Sequence, residues 1–327
     1  MNRDNRLDGI RCIAITLVIM VHTWSLARVD ATTYPLLGRI YDSIVCMGVP
    51  LFLMLSGALQ LSRPIESISS YYRKRFQRLL IPFVIWSGIV YILSSVVGKY
   101  EEISDTGDAL RLYVPYLLEN KINMAYWYVG LIAVLYILTP FLQKAIQGCG
   151  KKTLYTVIAT WLVIVVLRHI YPNLFVLRYT SDLIYYLGFY ISGYVLYTEQ
   201  LHQSKVQTIW LGVCVAGSMA LSIANVPSVI LWRMIATILL FALLLQKDMP
   251  QKGYVRTISE SSYTIYLSHV ILISPLYQIL NFNGSVAPLW QCSIIPLLST
   301  LVVLAVCSIG CYMCKRWLPF YKYLGIE

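Results

Sequence analysis

Arg11 and His22 stand eleven residues apart in the first long apolar run of this 327-residue chain. A guanidinium is suited to gripping a phosphate or carboxylate through paired hydrogen bonds. An imidazole can take a proton from a hydroxyl, or carry a transferred group as a nucleophile. On a helix the eleven-residue spacing leaves the two about 20° from perfect alignment and about 16 Å apart along the axis. Ionisable groups inside an apolar helix are costly and mark function by default. An arginine there without a counter-charge is hard to tolerate unless it serves a ligand. The bland alternative is a buried histidine bonded to a neighbouring helix. Asp8 lies about 21 Å from His22 along the same helix, too far to orient it, so an orienting partner must come from another segment.

Other segments carry chemistry-bearing types at regular spacing. Tyr71-Tyr72-Arg73-Lys74-Arg75-Phe76-Gln77-Arg78 sets four cations within six residues. Such a cluster anchors a span end on anionic lipid, and Arg75 and Arg78, at i and i+3, also form a pair fit for phosphate. Ser56 follows Gly48-Val49-Pro50-Leu51-Phe52, where small residues favour close helix packing. Trp127-Tyr128 opens a later run, as an interfacial aromatic belt would. Tyr186, Tyr190, Gly193 and Tyr197 share one face, suited to close packing or to lining a groove. Ser262, Tyr266 and His269 follow a single stripe that turns polar groups into a bundle, behind Ser259 as a candidate N-cap. Hydrogen bonding between helices competes there with a direct chemical role.

These residues need elements to hold them, and composition says which. Hydrophobic residues make up 58% of the chain and charged ones 13%, with a mean hydropathy of +0.67. Soluble domains carry roughly 25% charged residues, so a soluble enzyme is excluded, and so is a disordered chain. A bilayer core takes about 20 apolar helical residues. Ten runs qualify: 9–28, 41–61, 79–98, 127–146, 153–170, 181–198, 207–224, 228–246, 262–280 and 290–313. The expected fold is an all-α polytopic bundle of about ten transmembrane helices, a single domain over 1–327.

Charge orients it. With the N-terminus inside, the same side receives Arg3, Arg73, Lys74, Arg75, Arg78, Lys144, Lys151, Lys152, Lys247, Lys252, Lys315 and Arg316. The other side receives fewer, among them Arg28, Arg39, Lys99, Arg111, Lys121, Arg168 and Arg178. This bias predicts both termini in the cytoplasm. The net charge of +11 then reports topology, and no nucleic-acid partner is expected. The polar stretch 99–124 reads as an external loop with a short surface helix near Leu110–Leu118. Most of the eight cysteines sit in apolar runs, where cysteine behaves as a small hydrophobe. Cys307, Cys311 and Cys314 lack a second cluster, so no metal site is expected.

Taken in order, these pieces resemble the acyltransferase-3 family of membrane acyltransferases. The likeness rests on Leu7-Asp8-Gly9-Ile10-Arg11 with ten residues before His22, Gly48-Val49-Pro50-Leu51-Phe52 with Ser56-Gly57, Arg73-Lys74-Arg75 with Arg78 and Pro82, Trp127-Tyr128 before Tyr136 and Pro140, and Ser262-Tyr263 before Tyr266 and His269. The resemblance implies transfer of an acyl group, acetyl by expectation, from cytoplasmic acyl-CoA to a hydroxyl of an envelope glycan or lipid-linked sugar. It implies residence in the bacterial inner membrane. It makes His22 the catalytic residue and Arg11, Arg73, Arg75 and Arg78 the residues that bind acetyl-CoA. Tyr266, His269, Ser262, Trp127 and Ser56 would contact the substrate or support the site. Where some members carry a glutamate after the Trp motif, this chain has Gly130-Leu131-Ile132, which favours the shorter stand-alone type. A second reading within the same resemblance is a transport module for a small amino acid such as L-serine, as in the membrane half of VanT-type serine racemases.

Overall fold

In the computed structural model, which describes residues 4–30, 32–103, 105–171, 182–199, 204–246 and 253–327, each apolar run becomes helical, the 41–61 run as parts of two helices. Arg3, Arg178, Lys247, Lys252 and residue 181 lie outside the described residues. The helices are α1 (Asn5–Ala27), α2 (Pro35–Val45), α3 (Gly48–Leu61), α4 (Ile68–Val96), α5 (Thr106–Leu118), α6 (Trp127–Gln147), α7 (Lys151–Ile170), α8 (Asp182–Thr198), α9 (Lys205–Ile223), α10 (Val229–Leu245), α11 (Gly253–Glu260), α12 (Ser262–Leu280) and α13 (Leu289–Trp317). Among the described residues, 8 segments are long and apolar enough to cross a membrane, α2 and α3 together forming one of them. α10 is apolar too but spans 17 residues, shorter than a bilayer core asks of an upright helix.

Local chemistry sets the element ends. The Asp4 carboxylate accepts from the backbone N–H of Arg6 and caps α1, and Arg28 closes it in the left-handed region at φ 51°. The 41–61 run is interrupted at Cys46 and Met47, which separates α2 from α3. Gly48 weakens the helix there, and Pro50 has no N–H to donate back toward Cys46. α3 restarts at Gly48, where the missing donor of Pro50 falls among first-turn groups that have no intrahelical partner anyway. The expected surface helix in the 99–124 stretch is α5, capped by the Asp105 side chain accepting from the Asp108 N–H at 2.8 Å.

One expectation fails. Ser259 does not cap the helix that begins at Ser262. It sits within α11, and its hydroxyl donates to Asp8 Oδ1 at 2.6 Å. A buried carboxylate is the stronger acceptor to satisfy, because leaving it short of donors costs more than a frayed helix start.

The centre of the bundle is α1 with α3; 67% of the apolar 18-residue stretch of the combined α2–α3 segment is buried, against 11% of that of α7 at the rim. α3 and α8 pack so closely that a Cβ at Gly57 would strike the Tyr190 backbone and one at Gly193 the Met54 backbone. Between apolar helices in lipid there is no hydrophobic drive to associate, so close contact through small residues supplies the attraction. The shared face of Tyr190 and Gly193 therefore serves packing, with Tyr190 fully buried and its hydroxyl 2.8 Å from Thr139 Oγ1. α12 and α13 pack along the other side of α1, and α4 and α6 close the ring. Large apolar side chains such as Ile92, Val96 and Leu301 remain exposed on the flanks, as lipid-facing surfaces are.

A cavity between a basic mouth and a histidine pair

A cavity of about 590 Å³ opens where α1, α3, α4, α6, α11 and α12 meet. Each helix contributes a stripe, not a stretch. α1 offers Arg11 and Val18, α3 Phe52, Ser56 and Gln60, α4 Arg75 and Arg78, and α6 Tyr128, Ile132 and Tyr136. Spacings of three, four or seven residues within these sets place them on single helix faces.

The mouth is ionic. Arg75 lies with its guanidinium 5.7 Å from the Tyr71 ring centre, a cation–π distance. Arg78 approaches Glu327 at 3.6 Å, with both side chains largely exposed. Lys322, Glu260 and Glu327 complete the rim. Lys322, Gly325, Ile326 and Glu327 form its outer wall, and their segment is pinned where Trp86 Nε1 and Thr264 Oγ1 both donate to the Leu324 carbonyl, at 3.1 and 2.8 Å. Gly325, at φ 88°, then turns the chain so that Ile326 is buried. A Cβ on Gly325 would crowd Tyr263, Pro82 and Thr264.

Deeper in, Arg11 donates to Asp8 Oδ1 at 3.1 Å and to Ser259 Oγ at 3.4 Å. The expectation of an arginine without a counter-charge is thus corrected. Asp8 stands three positions before Arg11, which puts the carboxylate on the neighbouring helix turn. Arg11 still lines the cavity, presented by a network that limits its freedom.

Val18, Phe52, Tyr128 and Tyr266 all line the cavity, with Tyr128 and Tyr266 5.6 Å and Phe52 and Tyr128 6.4 Å apart between ring centres. Tyr266 is held by donating to the Ala125 carbonyl, while Tyr126 donates to the Leu267 carbonyl at 2.8 Å. One turn beyond Val18 and Tyr266 come His22 and His269, from α1 and α12, with ring centres 5.1 Å apart. His269 is fully buried and its Nδ1 lies 2.6 Å from the Tyr266 carbonyl. Its Nε2 is buried with no hydrogen-bond partner among the described residues. The nearest ring to His22 from another helix is thus a second histidine.

The structure gathers Arg11, Arg75, Arg78, Ser56, Ser262 and Tyr266 on the cavity wall. His22 and His269 stand a turn beyond it. Two of the expected residues lie elsewhere. Arg73 is exposed and off the cavity wall, because on a helix it faces away from Arg75 and Arg78. Trp127 is exposed and packs on Tyr186 at 5.3 Å, as an interfacial aromatic does. Its neighbour Tyr128 faces the cavity instead. Tyr263, Gln60, Glu260 and the 322–327 segment are further wall residues. The stripe Tyr128-Ile132-Tyr136 was readable from i, i+4 spacing, whereas the terminal segment has no periodic signal.

With this geometry in view, comparison with known proteins gives two positive findings. The model of a family described as an acyltransferase domain matches residues 4–316. The nodulation protein NolL of Mesorhizobium japonicum is 30% identical over 107 residues, covering 32% of this chain and 29% of that protein's length. No solved structure matches.

Proposed function

The chain belongs to this acyltransferase family, acyltransferase-3, and from that premise we propose that it is an O-acyltransferase carrying an acyl group, acetyl foremost, across the bacterial inner membrane. The donor is acyl-CoA on the cytoplasmic side and the acceptor is a hydroxyl of an envelope glycan or lipid-linked sugar on the other. The observation that carries the reading is a single cavity with guanidinium groups at its mouth, aromatic rings along its depth and a histidine pair just past it. Both termini lie on the cytoplasmic side in this reading, by the bias of basic residues.

Each part has a chemical task. Arg75 and Arg78 can hold the phosphates of the donor through charge-assisted hydrogen bonds. Exposed groups at a wet mouth contribute modestly, so affinity must come from several cations acting together. The acyl-bearing arm then runs inward past Arg11 along apolar and aromatic walls that exclude water. His22 takes the proton of the acceptor hydroxyl as its oxygen attacks the thioester carbonyl. The C–S bond breaks, and the departing thiolate receives that proton from the imidazolium. The net change is one ester formed and one thioester consumed.

The test is acetyl transfer from labelled acetyl-CoA to envelope glycan by the full chain in lipid nanodiscs. General acid–base groups contribute about 10²–10⁴-fold; the His22→Ala variant should lose that much with its fold intact. Undiminished turnover in that variant overturns the assignment. CoA-independent L-serine flux in proteoliposomes, with no acyl transfer by the wild-type chain, would replace it with transport.

A further inference from the structure

We propose that His269 is a positioning residue that fixes the tautomer of His22. The proposal rests on the reading of His22 as the base and extends it one residue inward. Its grounds are geometric. The Nδ1 of His269 is 2.6 Å from the Tyr266 carbonyl. A carbonyl only accepts, so Nδ1 carries the hydrogen and donates it. In a neutral imidazole that assignment leaves Nε2 as a bare acceptor. This acceptor is fully buried and no described residue satisfies it. Orphaned buried acceptors are rare and call for an explanation.

His22 provides one. Its ring centre lies 5.1 Å from that of His269, about the separation of two imidazoles joined by an N–H···N bond of ordinary length, roughly 2.9 Å. His22 is half-buried and hydrogen-bonds to no described residue, so a turn of its ring can point an N–H at the waiting acceptor. The chain then runs from the Tyr266 carbonyl through His269 to His22. It places the hydrogen of His22 on the nitrogen facing α12. The other nitrogen keeps its lone pair free for a hydroxyl proton. A histidine whose second nitrogen is held by a partner presents one defined face to chemistry. When the base is protonated, the same Nε2 accepts from the imidazolium and steadies it.

The alternative is that His269 fills space between α1 and α12. Two substitutions separate the two roles. His269→Gln keeps an acceptor at the reach of Nε2; His269→Met keeps volume without one. The first readout is the ¹⁵N spectrum of the His22 ring in the full chain, histidine-labelled, in nanodiscs. It needs no turnover and so stands whether or not acyl transfer is the activity. The wild type should show one His22 tautomer, His269→Gln the same one, and His269→Met a mixture. The second readout is steady-state kinetics. His269→Met should lose about 10²-fold in kcat with the KM for acetyl-CoA within about twofold, and His269→Gln should recover most of the rate. An unchanged His22 tautomer in His269→Met overturns the proposal. So does an equal loss of rate in both variants.

Discussion

Replacing Arg11 with methionine should expose how the cavity wall is built. Asp8 is 5% exposed and accepts from Arg11 at 3.1 Å and from the Ser259 hydroxyl at 2.6 Å. Removing one partner of a fully buried ion pair costs about 3–5 kcal/mol. Arg11 keeps 25% of its side chain exposed, so water screens part of the attraction, and Ser259 retains its bond. The expected loss is therefore about 2 kcal/mol, read as a fall of roughly 4 °C in the thermal midpoint of detergent-solubilised protein. Adding Asp8→Asn removes the charge that Arg11 served. The double variant should recover at least half of the loss, since residues in direct contact do not add. Both variants lack the cavity cation, so both should raise the KM for acetyl-CoA alike. A single variant as stable as the wild type would refute the network. Strict additivity in the double variant would do the same.

Three further outcomes follow from the site and the packing. Arg75→Ala and Arg78→Ala should each raise the KM for acetyl-CoA by about threefold, from a solvent-screened charged contact worth roughly 0.7 kcal/mol, while Arg73→Ala, off the cavity wall, should leave kinetics unchanged. Glu327→Gln releases Arg78 from a contact of 3.6 Å between two exposed side chains; an exposed pair of about 0.5 kcal/mol predicts a twofold drop in that KM, shrinking as salt is added. Gly57→Ala sets a methyl group against the Tyr190 carbonyl and should cost about 3 kcal/mol by overpacking, whereas Gly130→Ala, with open space at its Cβ, should be neutral or mildly stabilising in the same thermal assay.

Along single helices, spacing was enough to read much of what the candidate site brings together. The alignment of Arg11 with His22, the pair Arg75 and Arg78, and the stripe Ser262, Tyr266, His269 each lie on one helix face, and a helix face is a property of local sequence. The apolar runs likewise located the helices, because a bilayer demands about 20 apolar residues per crossing whatever their neighbours are. Where the reading faltered, a residue was weighed without its cross-helix partner. Ser259 has the type of an N-cap, yet its hydroxyl serves Asp8 across 251 positions of chain. Trp127 and Tyr128 are adjacent aromatics, and their different faces on α6 decide which one meets the cavity.

Composition and periodicity by themselves determined an apolar helical chain, the helix faces that carry cations and histidines, and the family likeness those residues bear. Tertiary packing alone decided that His22 meets His269, that Arg11 is paired with Asp8 and Ser259, and that residues 322–327 form part of the mouth. The physical reason is range. Helix propensity, hydropathy and capping act over a few residues. Which side chains of α1 and α12 meet depends on how whole helices settle against one another, with small residues such as Gly48, Gly57 and Gly193 letting α3 approach α1 and α8, and that approach exists only when the bundle is assembled.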